Sequence, residues 1–259
     1  GEQQPHEATH ASSGTYASSS AITDGEHVIA FFESNGLYVY DMDGTLVWST
    51  DLGNKRVLTE GGEGTTPALY GNTLVLVWDN NDQSFIVAFD KRTGELLWSH
   101  DLVTDFDAPP TLIRPAVKAG YAASPTAYRD LVIVTAGGPG QAVMAFRQDD
   151  GVLVWRSDSF LISPATPILV DVDGQTQLIV YGGQTINGLD PATGAVIWTH
   201  GHETTGDMNS STPVWGGDNI LFMTSAYNGG GRALRLSREG AATHVEELWF
   251  NTRLKVMFG

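Results

Sequence analysis

Apolar residues along the chain fall into short runs, broken at regular intervals by Gly, Asn, Asp and Pro. In one well-marked stretch the runs are Pro67–Tyr70, Thr73–Trp78, Ser84–Phe89 and Glu95–His100, separated by Gly71-Asn72, by 79–83 and by Asp90–Gly94. Their β-branched and aromatic content predicts four strands, and no stretch combines helical periodicity with helix caps.

The pattern repeats. Tryptophan ends five similar segments, at Trp48, Trp98, Trp155, Trp198 and Trp249, with spacings of 50, 57, 43 and 51 residues. A second landmark keeps the same phase: Ser20-Ala21, Thr66-Pro67, Ser124-Pro125, Thr166-Pro167 and Thr212-Pro213, each leading into an apolar run. Four strands in about 50 residues is the arithmetic of a propeller blade, so the fold predicted is an all-β propeller of four-stranded antiparallel blades. About five blades are present, and the expectation is an incomplete part of a seven- or eight-bladed ring. Residues 1–16 read as a leader or inter-blade segment and 17–259 as the propeller domain.

The turn before each Trp has a physical logic. In Asp90-Lys91-Arg92-Thr93-Gly94 and Asp190-Pro191-Ala192-Thr193-Gly194 the Asp can accept amide hydrogen bonds across the turn while Gly supplies positive φ. Four residues on, the Trp ring is placed to cover a seam between blades, with its indole N–H reaching a turn of the next repeat. Asp90, Thr93, Gly94, Asp190, Thr193, Gly194 and the five tryptophans are thus read as structural. Two units depart: the first has the shorter turn Asp41-Met42-Asp43-Gly44, and the fifth is expected to carry an enlarged loop from Ser237 to Glu246. The span from Val103 to Tyr121 is read as a long insertion without strands of its own.

These residues resemble the pyrroloquinoline-quinone-type propeller repeat, whose Ala-x-Asp-x-x-Thr-Gly-x-x-x-Trp pattern stands in Ala88 to Trp98 and, apart from its first residue, in Gly188 to Trp198. The resemblance spans about 17–250. It implies either a quinoprotein dehydrogenase or a non-catalytic, BamB-like scaffold of outer-membrane assembly. The segments Glu63-Gly64-Thr65-Thr66-Pro67 and Asn209-Ser210-Ser211-Thr212-Pro213 resemble the second branch.

Composition narrows the choice. With 30 Asp+Glu against 14 Lys+Arg the formal net charge is −16, which argues against a nucleic-acid partner. There is no apolar run of transmembrane length. Cysteine is absent, which excludes disulfides, thiolate metal sites and the adjacent Cys pair implied for alcohol-oxidising quinoproteins. The carboxylates fall in no motif matching that family's calcium ligands. The expected function is therefore an extracytoplasmic (periplasmic, outer-membrane-associated or secreted) scaffold that binds another polypeptide or an envelope component. It uses no cofactor or metal and no catalytic residue. The alternatives are a dehydrogenase of alcohols or sugars using pyrroloquinoline quinone (PQQ) with Ca²⁺, and a glycan-binding propeller with Trp78 and Trp215 as the first exposed aromatics to suspect.

Smaller motifs are read against their surroundings. His6-Glu7-Ala8-Thr9-His10 has zinc-protease spacing, but Pro5 and Ala11-Ser12-Ser13-Gly14 deny it a helix, so an extended leader is expected. Asp41-x-Asp43-Gly44 and Asp171-x-Asp173-Gly174 start like calcium loops yet lack the twelfth-position Glu, and tight hairpins are expected. His27, His100, His200, His202 and His244 are scattered, with His200 and His202 read as a solvated strand end. The dense glycine run at Asn228-Gly229-Gly230-Gly231 lacks the Lys of a phosphate loop.

Overall fold

The computed structural model describes residues 19–53, 64–79, 84–108, 123–138, 140–158 and 160–256. These form five four-stranded antiparallel sheets, each meandering in chain order. The first sheet is β1 (Ile22–Thr23), β2 (His27–Phe31), β3 (Leu37–Asp41) and β4 (Leu46–Thr50). The second is β5 (Ala68–Tyr70), β6 (Thr73–Asp79), β7 (Ser84–Asp90) and β8 (Leu96–Asp101). The third is β9 (Thr126–Tyr128), β10 (Leu131–Thr135), β11 (Val143–Arg147) and β12 (Leu153–Arg156). The fourth is β13 (Ile168–Val172), β14 (Gln175–Tyr181), β15 (Thr185–Leu189) and β16 (Val196–Gly201). The fifth is β17 (Val214–Trp215), β18 (Ile220–Ser225), β19 (Gly230–Glu239) and β20 (Ala242–Asn251). Strands of the second unit begin and end within a residue or so of the expected bounds. The one α-helix among the described residues, α1 (Leu102–Phe106), opens the insertion. Its N-cap Asp101 accepts from the amides of Val103 and Thr104, and it buries Leu102.

A small sheet is apolar on both faces only if both are covered, and here the core lies between sheets. One cluster joins the first and second sheets through Val39, Leu76 and Phe89, and another the second and third through Val77, Val134 and Phe146. The third and fourth meet through Ile133, Trp155 and Leu178, and the fourth and fifth through Ile179, Met223 and Leu234. Each cluster lies between consecutive sheets, and among the described residues no hydrophobic cluster joins the first sheet to the fifth.

A recurring bulge sets the fourth strand of every sheet. Trp48 pairs with Val39 and Leu46 with Tyr40, leaving Val47 as the extra residue. The same slip isolates Leu97, Val154, Ile197 and Leu248. An extra residue turns the next side chain to the other face, which carries each Trp onto the seam side. The partner beneath the ring is small: Val39, Ala88, Ala145, Gly188 and Ala233.

One expectation about the strands is overturned. Residues 237–246 are not an enlarged loop: β19 and β20 are ten-residue strands paired through Ser237↔His244 and Glu239↔Ala242 around a tight turn at Gly240-Ala241. The extended ladder exists because Leu236 and Val245 continue the apolar alternation onto the seam with the fourth sheet. The His6–His10 motif and most of the insertion lie outside the described residues.

Candidate functional site

Three of the seams share one device. The turn that ends the third strand of one sheet receives the Trp of the sheet before it. The Nε1–H of Trp48 donates to the Lys91 carbonyl at 2.7 Å, that of Trp98 to Gln148 at 2.7 Å, and that of Trp155 to Pro191 at 3.2 Å. The turn glycine lies flat under the ring. A Cβ on Gly94 would meet Trp48 at 2.8 Å and one on Gly151 would meet Trp98 at 2.6 Å, and Gly194 is covered by Trp155 in the same way. The glycine therefore serves twice, for positive φ (+70° to +76° at these three) and for room beneath the indole. Asp90 fixes the turn by accepting from the amides of Arg92 and Thr93 and from the Thr93 hydroxyl, and Asp190 accepts from Ala192. Burial opposes ionisation of Asp90, but those bonds prevail and hold its carboxyl below the usual range.

The fourth seam departs because the long hairpin has replaced the glycine turn. Trp198 donates instead to Oε1 of Gln177 in its own sheet at 2.8 Å, and Gln177 passes the contact on through Nε2 to the Thr243 hydroxyl at 2.8 Å. Among the described residues Trp249 has no such seat: it is 43% exposed, against 7–8% for Trp98, Trp155 and Trp198.

The Ser/Thr-Pro landmark forms a ladder between blades. The Ser20 amide donates to the Thr66 hydroxyl at 3.0 Å, the Thr66 amide to the Ser124 hydroxyl at 2.9 Å, and the Ser124 amide to the Thr166 hydroxyl at 3.1 Å. This explains why the landmark keeps step with the tryptophans, a role the sequence signalled by phase alone. Asp24 adds a further cross-blade link by pairing with Lys91. Burial works against its charge, but the Lys91 ammonium and the amides of His27 and Glu26 outweigh it and hold the carboxyl well below the ordinary range.

Two clusters carry titratable chemistry. Ligand atoms of Asp24, Glu26 and His27 lie within 4.8 Å of one another in the β1–β2 turn. Lys91 already sits on Asp24, so this donor set does not fit a divalent cation carrying a quinone. At the seam of the fourth and fifth sheets, His202 is buried rather than solvated, at 1% exposure. Its Nε2 lies 2.7 Å from the Tyr181 hydroxyl, and Arg232 Nε donates to its Nδ1 at 3.3 Å. A guanidinium only donates, so Nδ1 accepts and the imidazole is neutral with its proton on Nε2. Burial, then Arg232, then His200 push the His202 pKa down to about 4, while burial pushes Tyr181 up. Arg232 also pairs with Glu247, which His200 approaches at 3.7 Å. With His202 and Tyr181 shielded from solvent, this cluster serves as a satisfied polar seam.

The other sequence candidates are placed as follows. Trp78 is buried between the first and second sheets and Trp215 is half-buried against the fourth-fifth seam, so neither is the exposed aromatic expected for a glycan platform. Asp41 accepts from the amides of Asp43 and Thr45, and Asp171 from that of Gly174, the tight turns expected. Asp173 is drawn across to Asn219 and to the Arg238 amide, stitching the fourth sheet to the fifth. His100 donates from Nε2 to the Gly151 carbonyl at 2.7 Å and packs beside Phe106 and Phe146.

One repeated part of the apolar surface open to solvent is the rim. Leu46, Val47, Leu96, Leu97, Val152 and Val154, on or beside the fourth strands of the first three sheets, are 41–55% exposed. They carry no motif of their own, although a pair of aliphatics before each of the first four repeat tryptophans is visible in the sequence. They flank strands whose outer edges carry no further strand in the sheet. An apolar stripe beside a free edge is chemistry suited to an extended polypeptide.

The sequence profile of the family described as outer membrane protein assembly factor BamB matches residues 6–118 and 33–252. No curated protein matches the chain in sequence. Among solved structures, it is similar to a quinohemoprotein alcohol dehydrogenase from Pseudomonas putida HK5, with a TM-score of 0.57 at 13% identity over 85% of this chain and 44% of that one. A europium-containing methanol dehydrogenase gives 0.58 at 14% identity over 87% and 56%. BamB from Moraxella catarrhalis gives 0.54 at 17% identity over 92% and 77%. The chain spans about half the length of the two dehydrogenases. At such identities the likeness shows the fold, which catalytic and assembly proteins share. No helix among the described residues is long and apolar enough to cross a membrane.

Proposed function

The chain belongs to the family of outer membrane protein assembly factor BamB, and from that premise we propose that it is an extracytoplasmic protein-binding scaffold. The observation that carries this reading is the rim of exposed aliphatics on the first three sheets. A monomeric surface gains nothing from a repeated apolar stripe, whereas a partner strand laid along it would bury the side chains and pair with the free edge. The recurring polar groups of the repeat support the same reading, since they are spent within the protein, on turns and seams, rather than converging on a ligand. The net charge of −16 steers basic or neutral partners toward the chain.

The reading is tested by placing a photo-crosslinking residue at position 97 in cells and comparing it with position 174, which lies in a β-turn of the fourth sheet. One discrete crosslinked polypeptide at 97, lost when Leu96 and Val154 are changed to Glu, is the expected result. Equal, diffuse labelling at both positions would overturn the rim as a binding surface.

A further inference from the structure

We propose that the rim takes up an extended polypeptide segment whose aliphatic side chains are bracketed by Lys or Arg, laid across the seam between the second and third sheets. This narrows the scaffold reading above and rests on it.

The apolar surface does not stop at the edge of one strand. The Trp98 ring lies over Gly151, where an added Cβ would meet it at 2.6 Å. Leu97 directly precedes Trp98 and Val152 directly follows Gly151, so this contact sets the two aliphatics on the two sides of one seam. Both are exposed, at 41% and 49%. Leu96 and Val154 extend the patch along β8 and β12. A second tie runs beside the first, since His100, two residues past Trp98, donates from Nε2 to the Gly151 carbonyl. The second and third sheets each have a described sheet on either side, the first and the fourth being the outer pair, so the exposure of these residues belongs to the rim itself.

The charges around the patch set the partner's chemistry. Glu95 and Asp149 are exposed at the entry to the two outer strands, and Asp105 and Asp158 are exposed just past their ends. The neighbouring cations are largely engaged already. Lys91 is buried on Asp24, Arg147 pairs with Asp150, and Arg156 donates to Oε1 of Gln141 with its guanidinium over the Phe106 ring. That leaves Arg92 among the cations of these two strands and their turns. An apolar patch with carboxylates at both ends is complementary to a segment that is apolar in the middle and basic at its ends, and it repels one with acidic ends. The aliphatics supply contact area, and the charges choose among segments.

Fluorescence anisotropy with three synthetic peptides tests this, each with a Val-Thr-Val-Thr-Val centre and with two Lys, two Ser or two Glu at either end. The Lys-ended peptide should bind about tenfold tighter than the Ser-ended one at low salt, and the gap should close toward about 0.5 M NaCl. The Glu-ended peptide should bind weakest. Changing Leu97 and Val152 together to Ser should abolish binding of the Lys-ended peptide. Glu95→Lys with Asp149→Lys should reverse the order in favour of Glu ends, and that gain also shows that the variant is folded. Glu203→Lys with Glu239→Lys makes the same change in net charge at exposed positions away from the patch, and should leave the order as in the parent. Lys- and Ser-ended peptides that bind alike, both lost on changing Leu97 and Val152, would overturn this inference while leaving the rim a binding surface. A remote pair of reversals that weakens the Lys-ended peptide as much as the rim pair would overturn it too, because net charge would then be the whole attraction. If no peptide binds although a partner crosslinks at position 97, the rim receives a folded surface and not an extended segment; if the crosslink is also absent, both readings fall.

Discussion

Replacing Trp98 by Ala and, separately, Trp249 by Ala compares the same repeat position with and without a neighbour over it. Trp98 is 8% exposed, donates to the Gln148 carbonyl, lies over Gly151 and stacks on Phe146 at 6.3 Å. Truncating a buried Trp costs about 3–5 kcal/mol, the transfer of the ring plus the cavity left behind. Trp249 covers only its own sheet. If an indole side chain offers about 250 Å², the difference between 8% and 43% exposure is roughly 90 Å², or about 2 kcal/mol at 25 cal/mol/Å². The lost indole hydrogen bond at position 98 adds about 1 kcal/mol. Trp98→Ala should therefore cost about 2–3 kcal/mol more than Trp249→Ala. Urea unfolding followed by far-UV circular dichroism measures both. Equal losses would refute the argument, because the ring at 98 would then owe its stabilisation to its own sheet and not to the seam.

Glycine gives an independent check. Gly151→Ala and Gly174→Ala both place a Cβ at positive φ, but only the first meets a ring, so it should cost about 1–3 kcal/mol more by the same denaturation assay. The His202 pKa lies near 4 in the folded chain against about 6.5 when exposed, so the unfolded chain takes up the proton first. Stability from this residue is complete above about pH 6.5 and falls by about 3 kcal/mol on the way to pH 4, a slope that should flatten in His202→Gln. Asp24→Asn leaves Lys91 without its carboxylate and should lower stability by on the order of 1–2 kcal/mol near neutrality. Because the Asp24 carboxyl is held below its usual range, that difference between parent and variant should shrink as pH falls below about 4.

Local chemistry is what the sequence made readable. Asp90, Thr93 and Gly94 define a turn within five residues, and the apolar runs around it define strands, so blade boundaries could be placed nearly to the residue. The repeat period then fixed the architecture. What stayed hidden depends on partners distant in sequence. The extra residue at each bulge could not be told from an ordinary strand position, because the slip shows only in pairing with the neighbouring strand. Residues 237–246 are polar enough to pass for a loop, yet the alternation of Leu236 and Val245 against solvent-facing partners makes them strand. His202 follows a strand end and looks solvated, and only the approach of Tyr181 and Arg232 from elsewhere in the chain explains its burial. Trp78 was misjudged for a related reason: its strand is covered by sheets on both faces, which one strand's sequence cannot reveal. The rim was legible as a pair of aliphatics before each of the first four repeat tryptophans, but its exposure was not.

We propose that this propeller binds polypeptide and carries no quinone chemistry, and reconstitution addresses that proposal most directly. The protein would be incubated with pyrroloquinoline quinone and Ca²⁺, separated from free quinone, and assayed for bound absorbance and for dye reduction with alcohols and sugars. No stoichiometric bound quinone and no substrate-dependent reduction are expected. A one-to-one quinone complex that reduces dye only when an alcohol or sugar is added would contradict it.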